Sequence, residues 1–372
     1  MSPRLLVAAG GGGDAIAAAM LHAATTGKPP AHVATFAWER LLVDPLPGPR
    51  DPTWFTGLRP VGRRNHAVTP TTVVRPPAGS TLPRLAAELP ATLYLLDPRG
   101  GASGLQRQLL ELVGILQADR VQLVDVGGDV IAAGDEPELR SPLADGLTVA
   151  AAASLDRPTD VLVAGAGLDG ELPEQHVLDR CRDLGGTLAH RLTASDARPF
   201  GRLFDWHPSE TTGLLWAAAM GLRGTAEVRG DGLTVRLSDH SSAIYRLDHA
   251  AVLAHSRIAR ALLDTHSLAE ADAALTAIGM ASEIGYERTK AATLGDTSAK
   301  ATLDVEDALR RLDRYAADAS RSGIDFLTLR RVAEVLGLRQ AGLARLTVEL
   351  RRRRPRQYQP PLWVVRDDHL PG

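Results

Sequence analysis

The chain has 372 residues, 44% hydrophobic but only 4% aromatic, and its 42 basic and 44 acidic residues leave a formal charge of -2. A core of this composition is built from Ala, Val, Leu and Ile, which suits helices layered on a parallel sheet. The balanced charge gives no whole-chain field toward nucleic acid or an anionic membrane, so the expected partner is a small molecule. The single cysteine, Cys181, excludes an intrachain disulfide and a cysteine zinc cage, and the cytoplasm is the expected compartment.

The first unit reads as a strand over Arg4 to Ala9, a turn over Gly10 to Gly13 and a helix from Ala15 to Ala24. Asp14 and four consecutive glycines interrupt what would otherwise resemble a signal peptide. No apolar run approaches the roughly 18 to 20 residues needed to span a bilayer. A second strand, His32 to Ala37, runs into Trp38-Glu39-Arg40. From Asp44 to Pro90 the chain is rich in Pro and Arg without a sustained period, the pattern of a lid or binding loop.

Thr92 to Leu96 is the next strand, followed by Asp97-Pro98-Arg99-Gly100-Gly101 and a helix from about Gly104 to Gln117. Val121 to Val126 ends in Gly127-Gly128-Asp129, Leu143 to Ala153 reads as a buried helix, and Asp160 to Ala164 leads into Gly165 to Glu171. A helix from Glu210 to Gly221 precedes two β runs, Thr225 to Arg229 and Leu233 to Leu237. Their Gly230-Asp231-Gly232 link predicts an antiparallel pair at a sheet edge, with Ala243 to Arg246 as a further strand. From His249 the pattern is helical. Leu327 to Val348, turning at Gly337 and followed by Arg351 to Arg354, reads as a helical hairpin with a basic end in preference to a DNA-binding helix-turn-helix.

These elements predict a doubly wound α/β fold: a mostly parallel sheet with an antiparallel edge and a C-terminal helical region. The expected division is an α/β core over 1–248, helices packed on it over 249–356, and an extended tail over 357–372, where Pro360, Pro361 and Pro371 oppose a helix.

Four times an apolar strand is followed by Gly and Asp: at Gly10 to Asp14, Asp97 to Gly101, Gly127 to Asp129 and Gly165 to Asp169. In an open parallel sheet such turns share the carboxyl ends of the strands, where ligands bind beside a switch in strand order. Gly10, Gly11, Gly12, Gly13, Gly127, Gly128 and Gly167 are therefore candidate ligand contacts, because glycine lets backbone amides approach an anion. Gly10, Gly12 and Ala15 also fit the loose pattern G-x-G-x-x-A, and Glu39 stands near where a ribose-binding acid would. Asp14 opposes that reading, since a carboxylate repels a pyrophosphate.

Asp14, Asp129 and Asp169 are the candidate catalytic carboxylates, with Asp145 and Glu171 as ligand contacts; such a group can act as acid and base, hold a divalent metal, or bind hydroxyls. Some of these acids also suit helix N-caps. Arg40, Arg50 and Arg99 are candidates to bind an anionic group. His240 beside Ser238 and Asp239 lacks a nucleophile elbow, and no histidine pair has zinc-ligand spacing.

The segments Gly10 to Asp14, Trp38-Glu39-Arg40 with Asp44 to Arg50, Val124 to Asp129, Ser141 to Asp145, Gly167 to Glu171 and Tyr286-Glu287-Arg288 together resemble a prokaryotic family known as domain of unknown function eleven fifty-two. The resemblance covers most of the first 290 residues and implies no reaction and no catalytic residue. The residues themselves predict an enzyme for a small polar or phosphorylated metabolite, sugar- or nucleotide-like. A nucleotide- or NAD-dependent transferase or oxidoreductase and a non-catalytic ligand sensor are the alternatives. A divalent metal and a nucleotide both remain open as cofactor.

Overall fold

The computed structural model describes residues 3–28, 30–295, 304–338 and 340–366. Leu303, Arg339 and the end of the tail with Pro371 lie outside the described residues. The main sheet contains β1 (Arg4–Ala8), β2 (Ala31–Phe36), β3 (Arg59–Val61), β4 (Asn65–Val68), β5 (Ala91–Leu96), β6 (Arg120–Val126), β7 (Thr159–Ala164), β8 (Thr187–Arg191) and β9 (Ala243–Asp248). Across the sheet their order is β8-β9-β7-β6-β1-β2-β5-β4-β3. The five central strands are parallel, with Leu5 opposite His32 on one side and Val121 on the other. Antiparallel strands finish both sides: β9 and β8 beyond β7, β4 and β3 beyond β5.

Alternation along the strands divides the core. Leu6 and Ala8 of β1, with Val124 and Val126 of β6, face helices α1 (Asp14–Thr26) and α2 (Leu82–Glu88). Leu5, Val7, Val121 and Leu123 face α3 (Gly101–Leu116), α4 (Leu143–Ala152) and α5 (Glu174–Asp183) on the other side. A later helix, α6 (Glu210–Ala219), joins the first face. Ala15, Ala17, Ala18 and Ala19 are all buried on α1, so small side chains let helix and sheet approach closely without aromatic filler.

The chain leaves β1 for β2 and β5 on one side, then returns to β6 on the other. The switch in strand order therefore lies between β1 and β6, and their carboxyl-terminal loops frame its crevice.

The stretch from Asp44 to Pro90 is less irregular than its composition indicates. It contains the antiparallel β4 and β3, a small ribbon pairing Phe55–Thr56 with Val73–Val74, and α2. Strands of two to four residues carry too little alternation to be read from sequence.

The hairpin expected at a sheet edge is antiparallel, with Gly224 opposite Leu237, and it forms the edge of a second sheet. There the order is Thr234–Leu237, Gly224–Glu227, Phe326–Thr328, Leu362–Val364, Tyr358–Gln359. The region read as a tail is described as far as Arg366, and its two short strands complete this sheet. Three further helices, α8 (Val305–Arg321), α9 (Leu329–Leu336) and α10 (Gln340–Arg353), pack around Leu312, Leu327, Val332, Leu346 and Trp363. Arg351, Arg352, Arg353 and Arg354 all pair with carboxylates, those of Asp205, Glu349, Glu306 and Asp313 among them. No described helix is long and apolar enough to cross a membrane.

Candidate functional site

The loop following β1 is shaped by contacts that glycine alone permits. Gly11 and Gly12 hold φ of +77° and +54°. A Cβ on Gly13 would lie 2.0 Å from Ser209 Oγ and 2.6 Å from Thr212 Oγ1, so the entry to α1 sits directly against the start of α6. Among the described residues, the N–H groups of Gly11, Gly12 and Gly13 donate no hydrogen bond within the protein. Gly13→Ala is expected to destabilise the protein by about 1–3 kcal/mol through overpacking. Chemical denaturation checks this, and an unchanged midpoint would contradict so close an approach.

Beside this loop is a cavity of about 850 Å³, mouth included, lined by nine carboxylate residues and three arginines. Asp14 comes from the start of α1, Asp145 from α4, and Asp125 and Asp129 from the end of β6 and the loop after it. Asp169 and Glu171 follow β7, Glu210 opens α6, and Glu283, which accepts from Leu143 N–H at 3.0 Å, opens α7 (Glu283–Gly295). A Cβ on Gly10 would lie 3.0 Å from Asp14 Oδ2 and 3.4 Å from Asp145 Oδ2, so two carboxyls meet over that glycine. Gly127 has the same role opposite: a Cβ there would stand 1.8 Å from Asp169 Oδ2.

Some of these groups have internal partners. Gly10 N–H donates to Asp14 Oδ2 at 3.0 Å, Gly128 N–H to Asp125 Oδ2 at 2.8 Å, and Glu171 N–H to Asp169 Oδ1 at 2.8 Å. Glu171 accepts from Arg140 N–H and from both the N–H and hydroxyl of Ser141. In contrast, Asp129 Oδ1 and Asp145 Oδ1 are buried and accept no hydrogen bond. Among the described residues, no three His, Cys, Asp or Glu side chains are arranged to hold a metal ion.

Crowding holds protons on this site. Burial, then the neighbouring Asp169, pushes Asp125 up to about 7, and burial with Glu171 pushes Asp169 up to about 6. Burial raises Glu283 to about 8. Burial and like charge also raise Asp14, Asp129 and Asp145 well above the carboxylate range. Folded carboxyls with raised pKa values retain protons that the unfolded chain releases, so their contribution to stability is full below about pH 4 and is lost as pH rises through 6 to 8. Glu136 has the opposite sign: burial acts to raise it, but hydrogen bonds from Ala133, Gly134 and Arg180 bring it down to about 2, and its contribution is lost in acid. Ligand-free protein should therefore be most stable near pH 5 and lose melting temperature steadily toward pH 8. A flat thermal profile across that range would contradict the crowding.

The cations arrive from a different part of the fold. Gly224–Glu227 and Phe326–Thr328 pair in parallel, Glu227 opposite Leu327, which brings Arg229 and Arg330 out at the same edge, each two residues beyond its strand. Arg229 contacts Glu210 at 3.1 Å and Glu171 at 3.5 Å, bridging two buried carboxylates. Burial acts to raise Glu210, yet Arg330, Arg229 and a hydrogen bond from Thr328 outweigh it and hold the group below its usual range. Arg330 and Arg40 line the cavity with no ion pair or hydrogen bond to their side chains among the described residues. Burial draws Arg330 down to about 10. His207, buried and pushed down to about 3 by burial, accepts the N–H of Ser209 at Nδ1, 3.2 Å away. Its proton is therefore on Nε2, which has no partner.

Of the residues singled out from sequence, Gly10 to Gly13, Asp14, Glu39, Arg40, Asp129, Asp145, Asp169 and Glu171 line this cavity. Oε1 of Glu39 already accepts from Thr81 N–H, Thr81 Oγ1 and Ser80 Oγ, which ties β2 to the start of α2. Gly127, Gly128 and Gly167 shape the loops behind the wall; Gly167 N–H donates to Gly127 O at 2.7 Å. Arg50 is spent inside its own loop, on Asp44 and the carbonyls of Leu46, Pro47 and Gly48. Arg99 pairs with Asp97 and Asp51, and its loop is anchored elsewhere, with Ala102 N–H donating to Thr265 Oγ1. That fourth loop follows β5, two strands away from β1, and does not reach the cavity.

Sequence reasoning passed over His207, Ser209, Glu210, Arg229, Glu283 and Arg330. The one available signal was Ser209 as N-cap before the apolar helix α6, which it is, its hydroxyl accepting from Thr212 N–H. His240, by contrast, bonds Tyr245 while Asp239 pairs with Arg223, so no Ser-His-Asp arrangement forms there. Cys181 is buried on α5 with its thiol pushed up to about 12 by burial, an inert core residue.

The profile of the family described as "Protein of unknown function (DUF1152)" matches residues 5–291. The chain belongs to that family. The match includes every loop of the acidic wall and stops before the segment carrying Arg330. No curated protein and no solved structure matches the chain.

Proposed function

We propose that this member of the DUF1152 family is an enzyme that binds a small, hydroxylated, anionic metabolite of the sugar-phosphate or nucleotide kind and acts on it by general acid–base catalysis. One observation carries the reading: Asp129 and Asp145, each with a buried carboxylate oxygen that has no donor, line the same cavity as Arg40 and Arg330, whose side chains make no hydrogen bond or ion pair among the described residues. A buried acceptor without a donor costs on the order of 1–3 kcal/mol. A ligand supplying hydroxyl donors removes that cost, and its anionic group meets the arginines and the free amides of Gly11 to Gly13.

The same carboxyls supply the proton chemistry. Asp129 hydrogen-bonds to Asp169, and in such a pair one member keeps the proton while the other is ionised. Asp129, the more strongly raised, is the acid, and Asp169, at about 6, is the base. Asp14, at the start of α1, is raised by the same crowding, through burial and then Asp125, with Asp169 adding to it.

Thermal-shift titration with ribose 5-phosphate, nucleoside monophosphates, NAD and Mg²⁺, each added separately, tests the reading. Ribose 5-phosphate or a monophosphate should raise the melting temperature, since a ligand at a hundredfold its Kd adds about 2.7 kcal/mol. A response to NAD alone would transfer the protein to the cofactor-dependent oxidoreductases, and no response to any organic anion would remove the proposal.

A further inference from the structure

A second cavity, of about 1120 Å³ with its mouth, adjoins the acidic one, and the two share His207, Pro208, Ser209, Glu210 and Arg330. Its walls have a different chemistry. Leu42, Phe204, Leu329 and Leu343 line it with Ser80, Thr81 and Thr347, and its carboxylates are two, Asp205 and Glu210, in place of nine. We infer that this chamber is a second subsite of the same ligand, taking a planar heteroaromatic ring carried on the hydroxylated part that the acidic cavity binds, with the ligand's phosphate at the junction. The inference rests on the reading of the acidic cavity given above.

The junction is where a phosphate fits. Two donors line it, the Arg330 guanidinium, which makes no hydrogen bond or ion pair among the described residues, and the orphaned Nε2–H of His207, while the Glu210 carboxylate beside them is paired with Arg229. His207 is only 4% exposed, so an unmatched N–H at that position is costly unless a ligand accepts it.

The lining argues for a ring over an alkyl chain. The hydroxyls of Ser80 and Thr81 donate to Glu39, and that of Thr347 donates to Ala344 O. Their donors are used, but each retains acceptor capacity, which suits an amino group on a ring edge and would be wasted against hydrocarbon. The wall nearest the junction is also rigid. Trp206 Nε1 donates to Glu88 at 2.8 Å, the Arg84 guanidinium lies 4.1 Å from its ring centroid, and its indole meets His207 edge-on. Pockets for rings are apolar, preformed and edged by a few polar groups, as here. Thr328, Arg330, Leu343 and Thr347 all lie beyond residue 291, so the part of the chain outside the family match builds one wall of this subsite.

Ala344 provides the test. It is exposed on α10 and lines the chamber, while Leu346 and Leu350 hold that helix to its core, so Ala344→Trp fills the space without disturbing packing. The probes are adenosine 5′-monophosphate and ribose 5-phosphate, titrated calorimetrically, with the unliganded melting temperature confirming the fold. Wild-type protein should bind adenosine monophosphate at least about tenfold more tightly. Ala344→Trp should reduce it to the level of ribose 5-phosphate, whose own affinity stays unchanged, and Arg330→Met should weaken both. Equal affinity of the wild type for both probes, or an adenosine monophosphate preference that survives Ala344→Trp, would overturn the subsite and leave the acidic cavity's reading standing. Binding of neither probe would overturn both.

Discussion

Replacing Asp129 and Asp169 together with Asn should abolish turnover of whichever phosphorylated compound the titrations identify and, in the same protein, raise the melting temperature at pH 8. The two effects have one cause. Burial and mutual repulsion raise both carboxyls, so each is held in the fold at a cost that increases as pH carries it toward ionisation. Asn keeps the size and hydrogen-bonding atoms and removes the charge, which relieves the repulsion also felt by Asp125 and Asp145. It cannot take up or release the proton, and losing a positioned acid or base typically costs about 10² to 10⁴ in rate. The gain in stability should vanish near pH 5, where the wild-type pair is already protonated. Assays with the identified compound and melting curves at both pH values check the prediction. Retained turnover would remove the two aspartates from the chemistry, whereas a lower melting temperature at pH 8 would show that they are structural.

The acidic half of the site was legible because it is local. A strand, a glycine turn and an aspartate recur in sequence after β1, β6 and β7, and a parallel sheet places such turns along one edge whatever their separation. The identical signal after β5 misled, since nothing in Asp97 to Gly101 reveals that its strand lies two places from the switch. Arg50 and Arg99 misled for a related reason: sequence shows a charge near a loop but not the carbonyls and carboxylates that consume it. Of the cationic half, Arg40 was legible beside the second strand, and the other two arginines were not. Arg229 and Arg330 are brought together by a parallel pairing of strands of four and three residues, a hundred residues apart, and such strands carry no readable period. His207 and Glu283 likewise reach the cavity through tertiary packing, from a turn before α6 and the first residue of α7.

Arg229 joins the two halves, and Arg229→Met should be the most destabilising substitution in the site, by about 3–5 kcal/mol, the cost of removing one partner from a buried ion pair. Its guanidinium bridges Glu210 and Glu171, and its backbone N–H also donates to Glu210. Burial acts to lower the Arg229 pKa, but the two glutamates outweigh it, so the charge is retained because the carboxylates surround it. Methionine matches the length, leaves Glu171 to face Asp169 and Asp129 without that cation, and leaves Glu210 with Arg330 as its neighbouring charge. Glu210 would lose one of the charges that hold it ionised and would rise, so the variant should recover part of its stability in mild acid while the wild type gains less there. Denaturant melts at pH 5 and pH 8 measure that difference. Equal losses at the two pH values would indicate that Arg229 contributes packing alone, and no loss would mean that the carboxylates do not depend on it. A second change, Glu210→Gln in the Arg229→Met background, should restore stability at pH 8 because it removes the carboxylate left unpaired, which a purely steric role for Arg229 would not allow.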